Sequence, residues 1–135
     1  MHERIRQIAW RGLGPVKTRK TIERALAELD EVEEELAFTG GPGREEMRLA
    51  VEARQMHTLV RLIATASLQR EETRGCYWRA DHPDPRTQSQ LRNMVLRNTR
   101  GGCEVTSQPP VMTELTEPTA PRIGAGCFGY INRSG

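Results

Sequence analysis

A chain of 135 residues in which 36% are apolar, 4% aromatic and 28% charged has room for one domain with a shallow core, and this mixture suits exposed helices better than a mixed sheet. Twenty basic and eighteen acidic residues leave a formal net charge of +2, too weak a field to mark a nucleic-acid or anionic-membrane binder. No apolar run reaches the roughly eighteen residues of a spanning helix, and charge stands where a secretory leader would be greasy, so a cytoplasmic protein is expected.

The first element is a short amphipathic helix from His2 to about Gly12, with Ile5, Ile8, Ala9 and Trp10 read onto one side. GLGP, Gly12 to Pro15, is expected to break it. Thr18 then offers a hydroxyl for an orphan backbone N–H and starts a second helix, which runs to about Phe38. Its apolar stripe is Ile22, Ala25, Leu26, Leu29, Val32 and Leu36. Glu28, Asp30, Glu31, Glu33, Glu34 and Glu35 form an acidic outer face. A carboxylate-bridged metal site would need a Glu-x-x-His spacing, whereas Glu52 and His57 stand five apart and point to different faces, so no metal is expected. Arg19 in the first turn is out of place, since an acid there would suit the helix dipole.

GGPG, Gly40 to Gly43, reads as a turn between antiparallel helices, because a phosphate cradle would need a strand before it and a Lys or Ser/Thr after it. The third helix is expected from Arg44 to Thr73. Met47, Ala50, Val51, Met56, Leu59, Val60, Leu62, Ile63, Ala66 and Leu68 wrap further around it than one neighbour can cover. His57, with no nucleophile or second ligand at helical contact distance, is expected to be packed. Cys76, Cys103 and Cys127 lack any CxxC spacing and are expected as reduced thiols.

Beyond Pro83 the pattern changes. NMVLRN and CEVTS, flanking TRGG, read as a β-hairpin with a four-residue loop. From Gln108 to Arg122 the chain is Pro- and Thr-rich and expected to be extended, while GAGCFGYINR, Gly124 to Arg133, has the glycines and rings of a docking segment. The expected fold is therefore mainly α: a three-helix bundle over residues 1–83, a small hairpin over 84–107 and an extended tail over 108–135.

The stretch REETRGCYWRADHP, Arg70 to Pro83, carries a resemblance. With Arg70, Glu72, Thr73, Arg74, Gly75, Cys76, Tyr77, Arg79, Asp81, His82 and Pro83 it resembles the segment that closes the last long helix in the C-terminal domain of the succinate dehydrogenase/fumarate reductase flavoprotein family. The Trp10 helix, the GLGPVKT connector and the helix hairpin fit the same domain, and FGYINR, Phe128 to Arg133, is similar to the end of that family's L-aspartate oxidase branch. His82 replaces the usual Phe or Tyr, Cys76 fills the small position, and the hairpin after Pro83 is reminiscent of the succinate dehydrogenase branch.

The resemblance implies a helical domain supporting an FAD-dependent oxidoreductase that converts aspartate to iminoaspartate for NAD synthesis. It implies as partners the FAD-binding and capping domains of the same enzyme, in cis or in trans, and leaves room for a homo-oligomer. It places the flavin and the catalytic residues in those other domains, so no catalytic, cofactor-binding or metal-binding residue is expected here. Interface candidates are Arg74, Tyr77, Trp78, Arg79, Asp81, Tyr130 and Arg133. Two readings of the Arg70–Pro83 stretch stay open: planar arginine forks and amphipathic rings docking on a partner, or a self-contained cap with Gly75 ending the helix and Arg74 paired to Glu71. A free-standing helical interaction module is the competing function.

Overall fold

The computed structural model describes residues 1–84, 92–100 and 102–111. In chain order these form α1 (His2–Leu13), β1 (Val16–Lys17), α2 (Arg19–Ala37), α3 (Arg44–Gln69), β2 (Trp78–Arg79), β3 (Asn93–Thr99) and β4 (Gly102–Gln108). The architecture is mainly α with one antiparallel hairpin, as the sequence pattern implies.

α2 starts where Thr18 places it. The Thr18 hydroxyl accepts from the Thr21 N–H at 3.2 Å and the Thr21 hydroxyl accepts from the Thr18 N–H at 3.0 Å, a reciprocal cap that satisfies two orphan donors. Ile22, Ala25, Leu29, Val32 and Leu36 are buried on its inner face. Ala25, Leu29, Val32 and Leu36 meet Ile5 and Ile8 of α1 and Ala53 and Val60 of α3 in a single core. The inner face of α3 is built from small residues, Ala50, Ala53, Ala64 and Ser67, which let the helices come close. His57 is packed among them, and its Nε2–H donates to the Leu29 carbonyl at 2.9 Å.

Cross-helix pairs give the directions. Arg54 donates to the Leu36 and Thr39 carbonyls while Arg61 pairs with Asp30 and Glu33, so α2 and α3 run antiparallel. Arg4 pairs with Glu31 and Glu35, and Arg11 with Glu28, so α1 runs antiparallel to α2. The acidic outer face is thus laced to arginines of both neighbours.

Four sequence expectations are corrected. Gly12 lies inside α1 and not in a break, because it is buried where α1 crosses α2: a Cβ there would stand 2.3 Å from the Ala25 Cβ. Trp10 does not share the side of Ile5 and Ile8; at 100° per residue it falls across the helix from them, and it is 73% exposed. α3 ends at Gln69, four residues before Thr73, because the next residues turn back beneath its end. The hairpin is also tighter than expected. Thr99 pairs with Gly102, leaving residues 100 and 101 as the connection, with Gly102 at a φ of 110° and the Thr99 hydroxyl donating to its carbonyl at 2.8 Å. The hairpin lies beside α3, where Thr58, Arg61, Leu62 and Thr65 face Leu96 and Arg97 across a cleft. The extended tail and docking segment lie outside the described residues from 112 onward.

Candidate functional site

The segment after α3 folds back under the helix end. Arg74 and Tyr77 exchange backbone hydrogen bonds at 2.9 and 3.0 Å around a tight turn. Gly75 is the first central residue of that turn and takes a φ of 57°, the sign a II′-type turn requires there. Gly75 therefore turns the chain after the helix instead of capping it. β2 then pairs in parallel with β1, Val16 opposite Trp78 and Lys17 opposite Arg79, and the Ala80 N–H donates to the Lys17 carbonyl at 2.9 Å.

Arg79 is the centre of this arrangement and is 0% exposed. Its Nη1 donates to the Ser67 carbonyl at 2.7 Å and the Arg70 carbonyl at 3.0 Å; Ser67 otherwise has only the long capping bond from the Arg70 N–H at 3.3 Å, and Arg70 lies past the end of α3. Its Nε and Nη2 donate to the two carboxylate oxygens of Asp81, each at 2.8 Å. Asp81 in turn accepts the Arg19 N–H at 2.8 Å. One bidentate pair thus sets a cation against the negative end of α3 and an anion against the positive end of α2. The absence of an acid from the first turn of α2 is explained: the carboxylate comes from a residue 62 positions away.

Its neighbours are used in the same way. Thr73 is buried, and its hydroxyl accepts from the Arg79 N–H at 2.9 Å and lies 3.1 Å from the Arg79 carbonyl. Glu72 is buried between Arg70 and Arg74, whose Nε atoms lie 2.8 and 3.3 Å from its oxygens. Arg74 therefore pairs with Glu72, not Glu71, which meets Arg19 at 2.7 Å. The Tyr77 hydroxyl reaches the Ser67 carbonyl at 3.0 Å, and the ring carries the Lys17 ammonium 4.4 Å from its centroid and the Arg70 guanidinium at 5.1 Å.

The Asp81 carboxyl titrates well below the usual carboxylate range, held there chiefly by Arg79 and also by the Arg19 N–H, against the opposing effect of burial. A depressed folded value means stability that is complete above the ordinary aspartate pKa near 3.9 and is lost as pH falls toward the folded value. Asp81→Asn is accordingly expected to be less stable than the parent chain at pH 7, with the gap narrowing steadily below about pH 4. Urea titrations of both proteins at several pH values measure it.

Among the interface candidates, Arg79 is sealed inside and Asp81 serves α2. Arg74, Tyr77 and Trp78 are half-buried around them. Tyr130 and Arg133 lie outside the described residues. Sequence reasoning did not single out Lys17, Ser67, Glu72 or Thr73 as partners in one network; only the extended Val-Lys pair before the Thr18 cap hinted at a strand.

A second feature adjoins this network. Trp10 and Leu13 of α1, Val60 and Ile63 of α3, Lys17 and Cys76 line a shallow groove of about 530 Å³. Met47, Leu49, Val51, Leu59 and Ile63, all on α3, are among the exposed large apolar residues. Among the described residues no three or more His, Cys, Asp or Glu side chains are grouped to hold a metal. β1 enters α2 through Thr18 and not through the glycine turn that seats a dinucleotide. No helix among the described residues is long and apolar enough to cross a membrane.

The comparisons with known proteins agree with this architecture. L-aspartate oxidase of Streptomyces coelicolor is 32% identical over 100 residues, covering 69% of this chain. L-aspartate oxidase of Acinetobacter baylyi is 28% identical over 94 residues, covering 70%. The chain spans 17% of the length of each of these relatives. Among solved structures, Mycobacterium smegmatis Sdh1, determined in complex with UQ1, superimposes with a TM-score of 0.75 at 25% identity over 85% of this chain and 20% of that one. The family model described as fumarate reductase flavoprotein C-term matches residues 2–123. That match takes in the three helices, the buried Arg79–Asp81 pair and the hairpin together, and the chain belongs to this flavoprotein C-terminal family.

Proposed function

We propose that this chain is the C-terminal helical domain of an FAD-dependent oxidoreductase of the L-aspartate oxidase kind, acting in the cytoplasm on the route from aspartate through iminoaspartate to NAD. Its part is to brace the flavin-binding and capping domains, which hold FAD and substrate. The observation that carries this is the exposed apolar side of α3 together with the Trp10 groove, beside residues 70–81, whose network is matched within the chain. Arg74, Tyr77 and Trp78, on either side of the groove residue Cys76, would meet the same partner, and Tyr130 and Arg133 would extend the contact from the tail. Arg79 and Asp81 shape the surface by holding the segment in place.

A second reading, the equivalent domain of a succinate dehydrogenase or fumarate reductase flavoprotein, is favoured by the likeness to Sdh1. One graft separates them. Replacing the matching C-terminal region of Streptomyces coelicolor L-aspartate oxidase with this chain should give a protein that retains flavin and oxidises aspartate. A graft that folds but sheds its flavin contradicts the bracing role. If the same exchange in the Sdh1 flavoprotein keeps flavin and the aspartate oxidase graft does not, the second reading holds.

A further inference from the structure

The charges around the end of α3 pair off with one exception. Arg70 and Arg74 share Glu72, Arg79 has Asp81, and Arg19 has Glu71 and Glu23. Lys17 is 7% exposed, yet among the described residues its ammonium has no carboxylate or carbonyl partner, only the face of the Tyr77 ring. Burial and, next, the neighbouring Arg79 charge both lower its pKa. The Lys17 stem is buried while its ammonium keeps contact with water, since His2 Nε2 is the one fully buried side-chain nitrogen or oxygen without a hydrogen-bond partner among the described residues. That cation, with no anion beside it, lines a groove with apolar walls, Trp10, Leu13, Val60 and Ile63, that opens to solvent.

We propose that Lys17 is the receptor for a carboxylate presented on an apolar segment of the flavin-binding body of the same enzyme, the ring or aliphatic part lying against Trp10 and Ile63 and the acid reaching the ammonium. This rests on the bracing role proposed above and names the chemistry of its contact. The occupant is acidic because the groove offers a cation lacking an anion, and apolar beside the acid because most of the wall is Ala9, Leu13, Pro15, Val60, Ile63 and the face of Trp10, while Arg6, the other charged lining residue, lies 3.8 Å from Glu3. A buried charge pair of this kind acts mainly on dissociation and is little screened by salt.

Two measurements test it. On the isolated chain, phenylacetate should bind saturably at the groove, followed by amide shifts at Trp10, Lys17 and Cys76, while phenylethanol, with the same ring and no charge, should not, and Lys17→Met should abolish the difference. Equal responses to the two probes overturn the carboxylate site. For the natural occupant, the chain is mixed with Streptomyces coelicolor L-aspartate oxidase lacking its matching C-terminal region. Lys17→Met should weaken that association at least about tenfold while leaving the isolated chain nearly as resistant to urea as its parent, since the cation it removes has no anion there and methionine keeps the apolar contact with the Tyr77 ring. Unchanged association, or a loss of stability in the isolated chain larger than about a fivefold fall in the folding equilibrium, the roughly 1 kcal/mol of the Tyr77 contact, overturns the assignment and makes Lys17 a structural residue. If the parent chain does not associate at all, the bracing role and the occupant fall together, and the probe arm still decides whether the groove takes a carboxylate.

Discussion

Arg79→Met should lower folding stability by about 3–5 kcal/mol, the loss typical of breaking a buried pair from one side. Methionine fills much of the volume but donates nothing. The Ser67 and Arg70 carbonyls lose the Nη1 donor that serves both, and Asp81 keeps its charge without its forked partner. Asp81 is 27% exposed at its side chain, so water recovers part of that loss and the lower half of the range is expected. Arg79→Lys should fall between, at about 1–2 kcal/mol, because an ammonium keeps the charge yet cannot span two carbonyls and a carboxylate in one plane. Urea denaturation gives both values. Equal stability of all three proteins would mean that the pair does not hold the segment to the helix ends.

Gly12→Ala is expected to destabilise by about 1–3 kcal/mol, and its sign separates two explanations of the glycine. If Gly12 served only to interrupt α1, alanine would lengthen the helix and stabilise it by about 0.5–1 kcal/mol, the usual difference between these residues in a helix. The packing says otherwise. A Cβ at Gly12 would lie 2.3 Å from the Ala25 Cβ and 3.1 Å from the Thr21 carbonyl, which belongs to the rigid first turns of α2. The helices would have to separate, and Ile5 and Ile8 would lose contact with Leu29 across the core. Ala25→Gly in the same chain should restore most of the loss by reopening the space. Thermal or urea midpoints of the two single variants and the double variant measure the coupling.

Much of this was legible in the residues. The spacing of Ile22, Ala25, Leu29, Val32 and Leu36 marks the inner face of α2 without a partner in view, because helix geometry alone decides it. The Thr18 cap is equally local. What the order of residues hides is contact between distant pieces. Gly12 looks like a breaker because its neighbour Ala25 lies across the bundle, and a Gly-Leu-Gly-Pro run reads as punctuation wherever it stands. Trp10 follows Ala9 directly, yet one step along a helix turns the side chain by about 100°, so adjacency does not mean a shared face. Arg79 could not be read as turned inward until α3 was known to stop at Gln69, since only then do the Ser67 and Arg70 carbonyls need donors. The end of α3 and the start of α2 are joined through Asp81, and nothing in either helix predicts that its missing charge will come from the other side of the domain.

The same logic separates what is fixed within the chain from what is left for a partner. Residues 70–81 meet their polar requirements at home, whereas the Lys17 groove and the α3 flank do not. Amide hydrogen exchange, measured on the isolated chain and on the chain grafted to the oxidase body, tests this division most directly. Residues 73–80 should be protected nearly as strongly as the core of α2 in both samples, while amides bordering Trp10, Lys17 and Ile63 should slow only in the graft. Exchange at unprotected rates across residues 73–80 in the isolated chain, with protection appearing only after grafting, would contradict the account.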